Sequence, residues 1–430
     1  MDEIPSGARA MSESEQAVQS SALREIIAHA SDRSSPDAVI SRALQAVRAH
    51  LGLQVAYVSE FVGNDSVFRV VDAPGLEHLA KAGDVHSLDD VYCRHILEGR
   101  LPELIPDTAA EPIAAAMPIT GAVPIGAHVS VPIRLSDGRT YGMFCCLGPF
   151  ANPSLNPRDL GMMRAFADLA AFEIERDLGN REETAASRAA IEQIIAGELM
   201  EIHYQPIFSL SQGRPAGYEA LARISVEPYR SPDKWFDQAS RIGMGVAFEL
   251  FAIDRALRGL SQLPDHSYLS VNASPATAMS PDLTDILRRA PLNRVVLEVT
   301  EHDRVSDICT LLERLAPLRA EGLKIAVDDA GSGYSGLQQI IQMRPDLVKL
   351  DRFLIEDIQH DPGRRALAAG LMMFARDTGS RLIAEGVERE DELAVLRALG
   401  IDLIQGYLLG RPQPLAAIVA ENAVGLRAAS

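Results

Sequence analysis

The sequence predicts two domains: a smaller unit of helices and turn-linked strands, then an α/β unit folded as a closed (β/α)8 barrel. Three observations carry this. Its 430 residues exceed what one ordinary core supports. In the second half, short apolar strand candidates alternate with helical segments. In the first half, strand candidates are separated by turns instead.

The first half follows in order. Residues 1–14 are polar and read as a loose terminus. The opening "MDEIPSGARAMSESEQ" has neither a basic start nor an apolar h-region, so it does not read as a signal peptide. Helical patterns cover Glu15–His29 and Pro36–Leu51, and Gly52 can stop the second. "LQVAYVSEFV", the turn "GND" and "SVFRVVDAPG" follow. "HVSVPIRL" and "TYGMFCCLGPF" flank a hairpin turn at Asp137-Gly138. A long helix begins after Asn156-Pro157 and runs to Leu178. The unit therefore spans 15–178. The polar stretch "GNREETAASR" places a helical linker at 179–192, with the barrel at 193–430.

Composition narrows the function. Hydrophobic residues make up 47% and charged residues 23%, the balance of a folded protein. Lys and Arg number 41 against 59 Asp and Glu, a formal net charge of -18. A field of that sign does not attract DNA, RNA or an anionic membrane. An anionic substrate would need cations supplied within its site. The four cysteines, Cys93, Cys145, Cys146 and Cys309, show neither zinc-site spacing nor a disulfide framework, as expected in a reducing compartment. With no apolar run long enough to span a bilayer, the expectation is a soluble, cytoplasmic protein.

The barrel strands are "YQPIFSL", "AGYEALARIS", "YLSVNAS", "RVVLEVTE", "LKIAVDDAG", "LVKLD", "RLIAEGVE" and "LIQGYLLG". Eight such strands in about 250 residues fit a barrel of the triosephosphate-isomerase kind. Polar residues gather at the strand ends: Glu219, Asn272, Glu298, Glu301, Asp328, Asp329, Lys349, Asp351, Glu385, Glu388 and Gln405. In a closed parallel barrel these ends meet at one rim. One acid at a strand end is ordinarily a helix cap or a solvated loop residue. Six ligand-type residues together, Glu219, Asn272, Glu298, Asp328, Asp329 and Glu385, argue for bound metal. Adjacent carboxylates repel one another and are costly to desolvate unless neutralised. Oxygen donors without Cys or His favour Mg²⁺ or Mn²⁺. A pair of such ions serves phosphoryl transfer, with Asp328-Asp329 placed to bridge them. Lys349 is a candidate proton acceptor if nearby cations depress its pKa, or else a phosphate partner. Glu301, Glu388 and Asp351 read as residues that orient ligands or brace the loop.

These motifs resemble the EAL domain family of cyclic di-GMP phosphodiesterases. The resemblance runs in order through "YQPI", "YEALAR", "VNAS", "LEVTE", "VDDAGSGYSG", "VKLD", "AEGVE" and "QGYLLGRP", over roughly the last 240 residues. It implies a modified barrel in which one early strand runs antiparallel. It implies hydrolysis of cyclic di-GMP to linear pGpG with Mg²⁺ or Mn²⁺ held by Glu219, Asn272, Glu298, Asp328, Asp329 and Glu385. Lys349 matches the lysine associated with activating water, and Asp351 a further active-site acid. Gln205, Arg223 and Gln405 match positions near the nucleotide. Glu301 matches a loop brace. The loop after the paired aspartates departs from the family's "FGTG", reading Ala330, Gly331, Ser332, Gly333, which removes no ligand. A homodimer follows from family habit. The rival reading is a catalytically silent cyclic di-GMP receptor or protein-interaction platform, and the intact ligand set argues against it. Synthesis of the dinucleotide would need a "GGDEF"-like stretch, which the sequence lacks.

The first half resembles a GAF domain through "YCRHILEGRLPELIPDT", "GAHVSVPIRLSDGRTYGMFCCLG" and the closing helix. That implies an α+β fold with a central antiparallel sheet and a sensory role, its ligand unnamed. Cys93 near His95 invites a bilin-attachment reading, and His86, His95 and His128 a haem-ligand reading. A free cysteine is mostly a small buried hydrophobe, and a lone histidine mostly structural.

Overall fold

The computed structural model describes residues 35–299, 308–330 and 340–428. The predicted helix Glu15–His29, Glu301 and the glycine loop at 331–333 lie outside them. The chain divides into two compact units, Met1–Glu183 and Thr184–Ser430.

The first unit opens with α1 (Pro36–Leu51). Ser35 caps it by accepting from the Ala38 N–H, and Gly52 ends it in the left-handed conformation at φ 63°. Its buried residues, Val39, Ile40, Ala43, Leu44, Val47 and Leu51, fall on one helical face. Six strands follow: β1 (Val55–Val62), β2 (Asp65–Asp72), β3 (Val85–Ser87), β4 (Leu104–Ile105), β5 (Ala127–Arg134) and β6 (Thr140–Gly148). The short helix α2 (Tyr92–Leu97) lies between β3 and β4. The sheet order is β3-β2-β1-β6-β5-β4, with every pairing antiparallel. β5 and β6 form the hairpin expected at Asp137-Gly138. Strand alternation splits the interior into two cores. One contains Leu44, Val58, Val131, Cys146, Met163 and Phe166; the other contains Tyr57, Phe68, Tyr92, Cys93, Met143 and Cys145. The 40-residue helix α3 (Pro157–Ala196) takes in the whole polar stretch read as a linker.

The second unit contains β7 (Met200–Ser209), β8 (Arg214–Ile224), β9 (Tyr268–Ala273), β10 (Val295–Val299), β11 (Lys324–Ala330), β12 (Leu347–Leu350), β13 (Arg381–Ala384) and β14 (Leu403–Ile404). Neighbours pair in sequence order, and a β14–β7 pairing closes the barrel. From β8 to β14 the pairings are parallel. β7 runs antiparallel to both β8 and β14, so it is the reversed strand. Only residues 210–213 separate β7 from β8, too few for the crossover a parallel pair needs. A further strand, β15 (Gln413–Pro414), pairs with β7 and was not expected from the sequence.

Ile207, Ala216, Val296, Ala326, Leu347, Ile383 and Leu403 form an apolar cluster packed against Tyr268. The Tyr268 ring fills space that Gly217 leaves open: a Cβ at Gly217 would lie 2.5 Å from it. Its buried hydroxyl has no hydrogen-bond partner among the described residues. Removing an unsatisfied buried hydroxyl removes a desolvation cost. Tyr268→Phe is therefore expected to hold or raise stability by about 1 kcal/mol in chemical denaturation. A loss of that size would show that the hydroxyl is satisfied in solution.

Candidate active site

The strand pleat places the polar residues. Side chains of one face recur every second residue. Val296 of the inner cluster is thus followed by Glu298, Ala326 by Asp328, Leu347 by Lys349, Ile383 by Glu385 and Leu403 by Gln405. Gly217 precedes Glu219, and Tyr268 precedes Ser270 and Asn272, in the same register. On the reversed strand the order inverts: Gln205 comes two residues before Ile207. A polar layer therefore lies one step above an apolar one.

Lys349 is the centre of that layer and is only 1% exposed. Its Nζ lies 2.7 Å from Glu385 Oε1, 2.8 Å from Glu298 Oε2, 3.5 Å from Asp328 Oδ1 and 3.6 Å from Glu219 Oε1. Burial opposes its charge, yet the carboxylates of Glu219, Glu298, Glu385 and Asp328 together hold its pKa well above the usual lysine value. Lys349 is thus an ammonium here and neutralises charge. To accept a proton it must first lose that carboxylate field, as cations bound to the same oxygens would bring about.

One ammonium does not balance four carboxylates. Burial, then the Glu219 and Asp328 charges, push Glu298 up to about 7 despite Lys349. Burial, with the Asp328 and Glu219 charges, raises Glu385 well above the carboxylate range despite the same ammonium. Neutral partners complete the layer. Asn272 Nδ2 donates to Glu219 Oε1 at 3.0 Å, and Gln405 Nε2 to Glu219 Oε2 at 2.6 Å. Gln405 also donates to Gln205 Oε1 at 3.2 Å, and Gln205 donates to the Gly410 carbonyl at 3.2 Å.

A cavity of about 310 Å³ opens over this layer, lined in part by Gln205, Glu219, Asp328, Lys349, Asp351 and Glu385. Glu388 and Gln405 also line it. Asp351 additionally caps the short helix Arg352–Ile355, accepting from the Phe353 N–H at 2.6 Å, and Glu388 pairs with Arg352 at 3.1 Å. A second cavity, of about 500 Å³, holds Arg223 and Asn272 and shares Leu221 and Asp328 with the first. Arg223 donates to the carbonyl of Ala222 at 2.8 Å. Asp329 lies in β11, and its side chain is outside the described residues. The β11–β12 register shifts between Val327 and Ala330, across the aspartate pair. Such an irregularity re-aims side chains near a site.

Sequence reasoning missed four contributors. Ser270 hydrogen-bonds to Glu298 Oε1, and same-face spacing from Asn272 could have flagged it. Arg352 and Tyr407 line the first cavity. Gly406 permits a close approach: a Cβ there would lie 2.1 Å from the Val387 carbonyl oxygen. Here the Val387 N–H donates to the Gln405 carbonyl at 3.1 Å, setting the position of the Gln405 amide against Glu219. Gly406→Ala should therefore cut turnover by about 10- to 100-fold, in the range of lost ligand support. Unchanged steady-state kinetics would show that this approach does not position Gln405.

The donor chemistry fits a hard divalent cation. Four carboxylates and an amide supply oxygens at one rim, and burial, together with neighbouring carboxylate charge, raises the Glu298 and Glu385 pKa values. Among the described residues no three acidic, histidine or cysteine side chains form a ready-made metal cluster. The Lys349 ammonium gathers the carboxylates instead.

Comparison with known proteins agrees with this architecture. The EAL domain model matches residues 187–412, and a GAF domain model matches 33–175. The cyclic di-GMP phosphodiesterase NbdA of Pseudomonas aeruginosa is 32% identical over 240 residues, covering 53% of this chain and 31% of that protein. The cyclic di-GMP phosphodiesterase RocR of the same organism is 28% identical over 299 residues, covering 64% of this chain and 74% of that one. The chain spans about a third of the length of NbdA and of several other such relatives. A solved structure of the EAL enzyme Bd1971, in its cAMP- and cyclic-di-GMP-bound form, superposes with a TM-score of 0.52 at 20% identity. That match covers 86% of this chain and 92% of the other, and it speaks to the fold alone. No helix among the described residues is long and apolar enough to cross a membrane. With its reversed-strand barrel and a model match over more than half its length, the chain belongs to the EAL domain family.

Proposed function

We propose that this chain hydrolyses cyclic di-GMP to linear pGpG. The observation that carries the reading is the layer of carboxylates around Lys349 at the rim of the barrel. NbdA and RocR, both named cyclic di-GMP phosphodiesterases, support the choice of substrate. The adjoining cavities, about 310 and 500 Å³, suit an elongated dinucleotide better than a mononucleotide.

Glu219, Asn272, Glu298, Asp328, Asp329 and Glu385 would hold Mg²⁺ or Mn²⁺, as a pair of ions. Such ions, when bound, acidify water and offset charge on the phosphate. Gln405 and Asn272 fix the Glu219 carboxylate through both of its oxygens. Lys349, once its weakened carboxylate field lets it give up its own proton to solvent, is a free amine that accepts the proton of the attacking water. Water adds across one P–O bond, and the departing ribose oxygen takes up a proton. Arg223 pairs with a phosphate or a guanine edge. Asp351 and Gln205 contact the nucleotide, while Glu388 braces the neighbouring loop through Arg352. The GAF unit regulates the barrel in a homodimer, and the chain works in the cytoplasm.

The test is product analysis in ¹⁸O-water with Mn²⁺. The expected product is pGpG with one heavy oxygen on its terminal phosphate. Tight nucleotide binding with no product would overturn the reading and make the chain a receptor.

A further inference from the structure

The first unit holds a cavity that the barrel chemistry does not use. It measures about 120 Å³ and sits in the core that contains Tyr57, Phe68 and Tyr92. Two features restrict what can occupy it. The first is charge: no Asp, Glu, Lys or Arg lines the space. A phosphate or carboxylate would be buried there without a fixed cation, which is costly. The second is size. Pockets for drug-sized ligands run to about 300–1,000 Å³, whereas an apolar cavity of about 150 Å³ takes one benzene. A nucleotide or a tetrapyrrole does not fit, so the bilin and haem readings of Cys93, His86 and His128 find no room here.

The wall suits a flat ring. Tyr57 and Phe68 stack with centroids 4.0 Å apart and 23° between their planes. The Phe68 ring lies 5.0 Å from that of His86, and Tyr92 meets His128 edge-on at 4.9 Å. Aliphatic side chains, Ile119, Val123 and Leu147 among them, complete the lining. Aromatic faces and edges are both available to a ring placed among them.

Polar handles in the wall are few. The Tyr92 hydroxyl is engaged by Thr120 Oγ1 at 2.5 Å. His128 is 3% exposed, and its Nδ1 is buried beyond the reach of a guest. His86 is only half-buried, and no hydrogen bond engages its imidazole among the described residues. A neutral imidazole carries one acceptor nitrogen, which a guest can satisfy with a single O–H or N–H.

We propose that this cavity binds a neutral, single-ring aromatic molecule of the phenol class. Its ring packs among Tyr57, Phe68 and Tyr92, and its hydroxyl donates to His86. The site stands independently of the chemistry proposed for the barrel, because its test reads binding to the first unit and not turnover.

The probes are para-fluorophenol and para-fluorotoluene, which differ only in a hydroxyl for a methyl, titrated with the full chain and followed by fluorine NMR. Para-fluorobenzoate serves as the charged control. Saturable binding of the phenol is expected with a Kd below about 1 mM, within reach of so small a ligand. His86→Phe should weaken the phenol about tenfold, the loss of one hydrogen bond, and leave the toluene within about twofold. Ala80→Leu places bulk on the lining and should abolish binding of both probes. Val123→Phe, on the same lining, repeats that test if a thermal melt shows the first variant unfolded. The proposal is overturned if the phenol does not bind wild type in this range, or if the benzoate binds as tightly. It is equally overturned if the filled cavity binds as wild type does, or if His86→Phe changes both probes alike.

Discussion

Glu219→Ala should abolish measurable hydrolysis of cyclic di-GMP, lowering kcat by about a thousandfold or more, a loss of about 4 kcal/mol of transition-state stabilisation. The reason is local. Glu219 contributes one oxygen to the Asn272 amide, another to the Gln405 amide, and its charge to Lys349. Its loss removes a proposed metal ligand and frees two amides that fix the layer. The protein should still fold, because the change removes one of four carboxylates crowding a single ammonium and so relieves repulsion. Circular dichroism and a thermal melt beside the assay separate a chemical loss from a folding loss. Full activity in this variant would remove Glu219 from the mechanism.

The second large effect is on stability. Lys349→Met leaves Glu219, Glu298, Asp328 and Glu385 facing one another without their shared cation. Removing one partner of a buried ion pair costs about 3–5 kcal/mol. In chelator, denaturant unfolding of the variant should fall by that order. Added Mn²⁺ should recover part of the loss, since an ion bound only by the folded state stabilises it by mass action. A variant as stable as wild type in chelator would mean that these carboxyls protonate at little cost, against the charge balance inferred for the layer.

Much of the barrel was legible because its chemistry is periodic. The eight strand segments were readable as short apolar runs, and the acids at their ends pointed to one rim. The pleat explains why: Val296 and Glu298, or Leu347 and Lys349, share a face by parity alone. The reversal of β7 came only through the family resemblance, although the brief connection at 210–213 already forbade a parallel crossover. β15 is two residues long and carries no pattern to detect. In the site, the cluster was readable but its centre was not. Nothing in "LVKLD" says that Lys349 draws four acids from four other strands, because that is a property of closure. Gly406 was hidden for the same reason: its close approach to Val387 depends on segments meeting that are separate in sequence. The polar run at 179–188 was read as a helical linker, and the backbone there is helical, within one 40-residue helix whose length the composition did not show.

The most direct test of the central claim is turnover of cyclic di-GMP by the full chain with Mn²⁺, with excess chelator, and with Mn²⁺ restored. pGpG is expected in the first condition, none in the second and recovery in the third. Equal turnover in chelator, or none in any condition by a chain that binds the nucleotide, would contradict that claim.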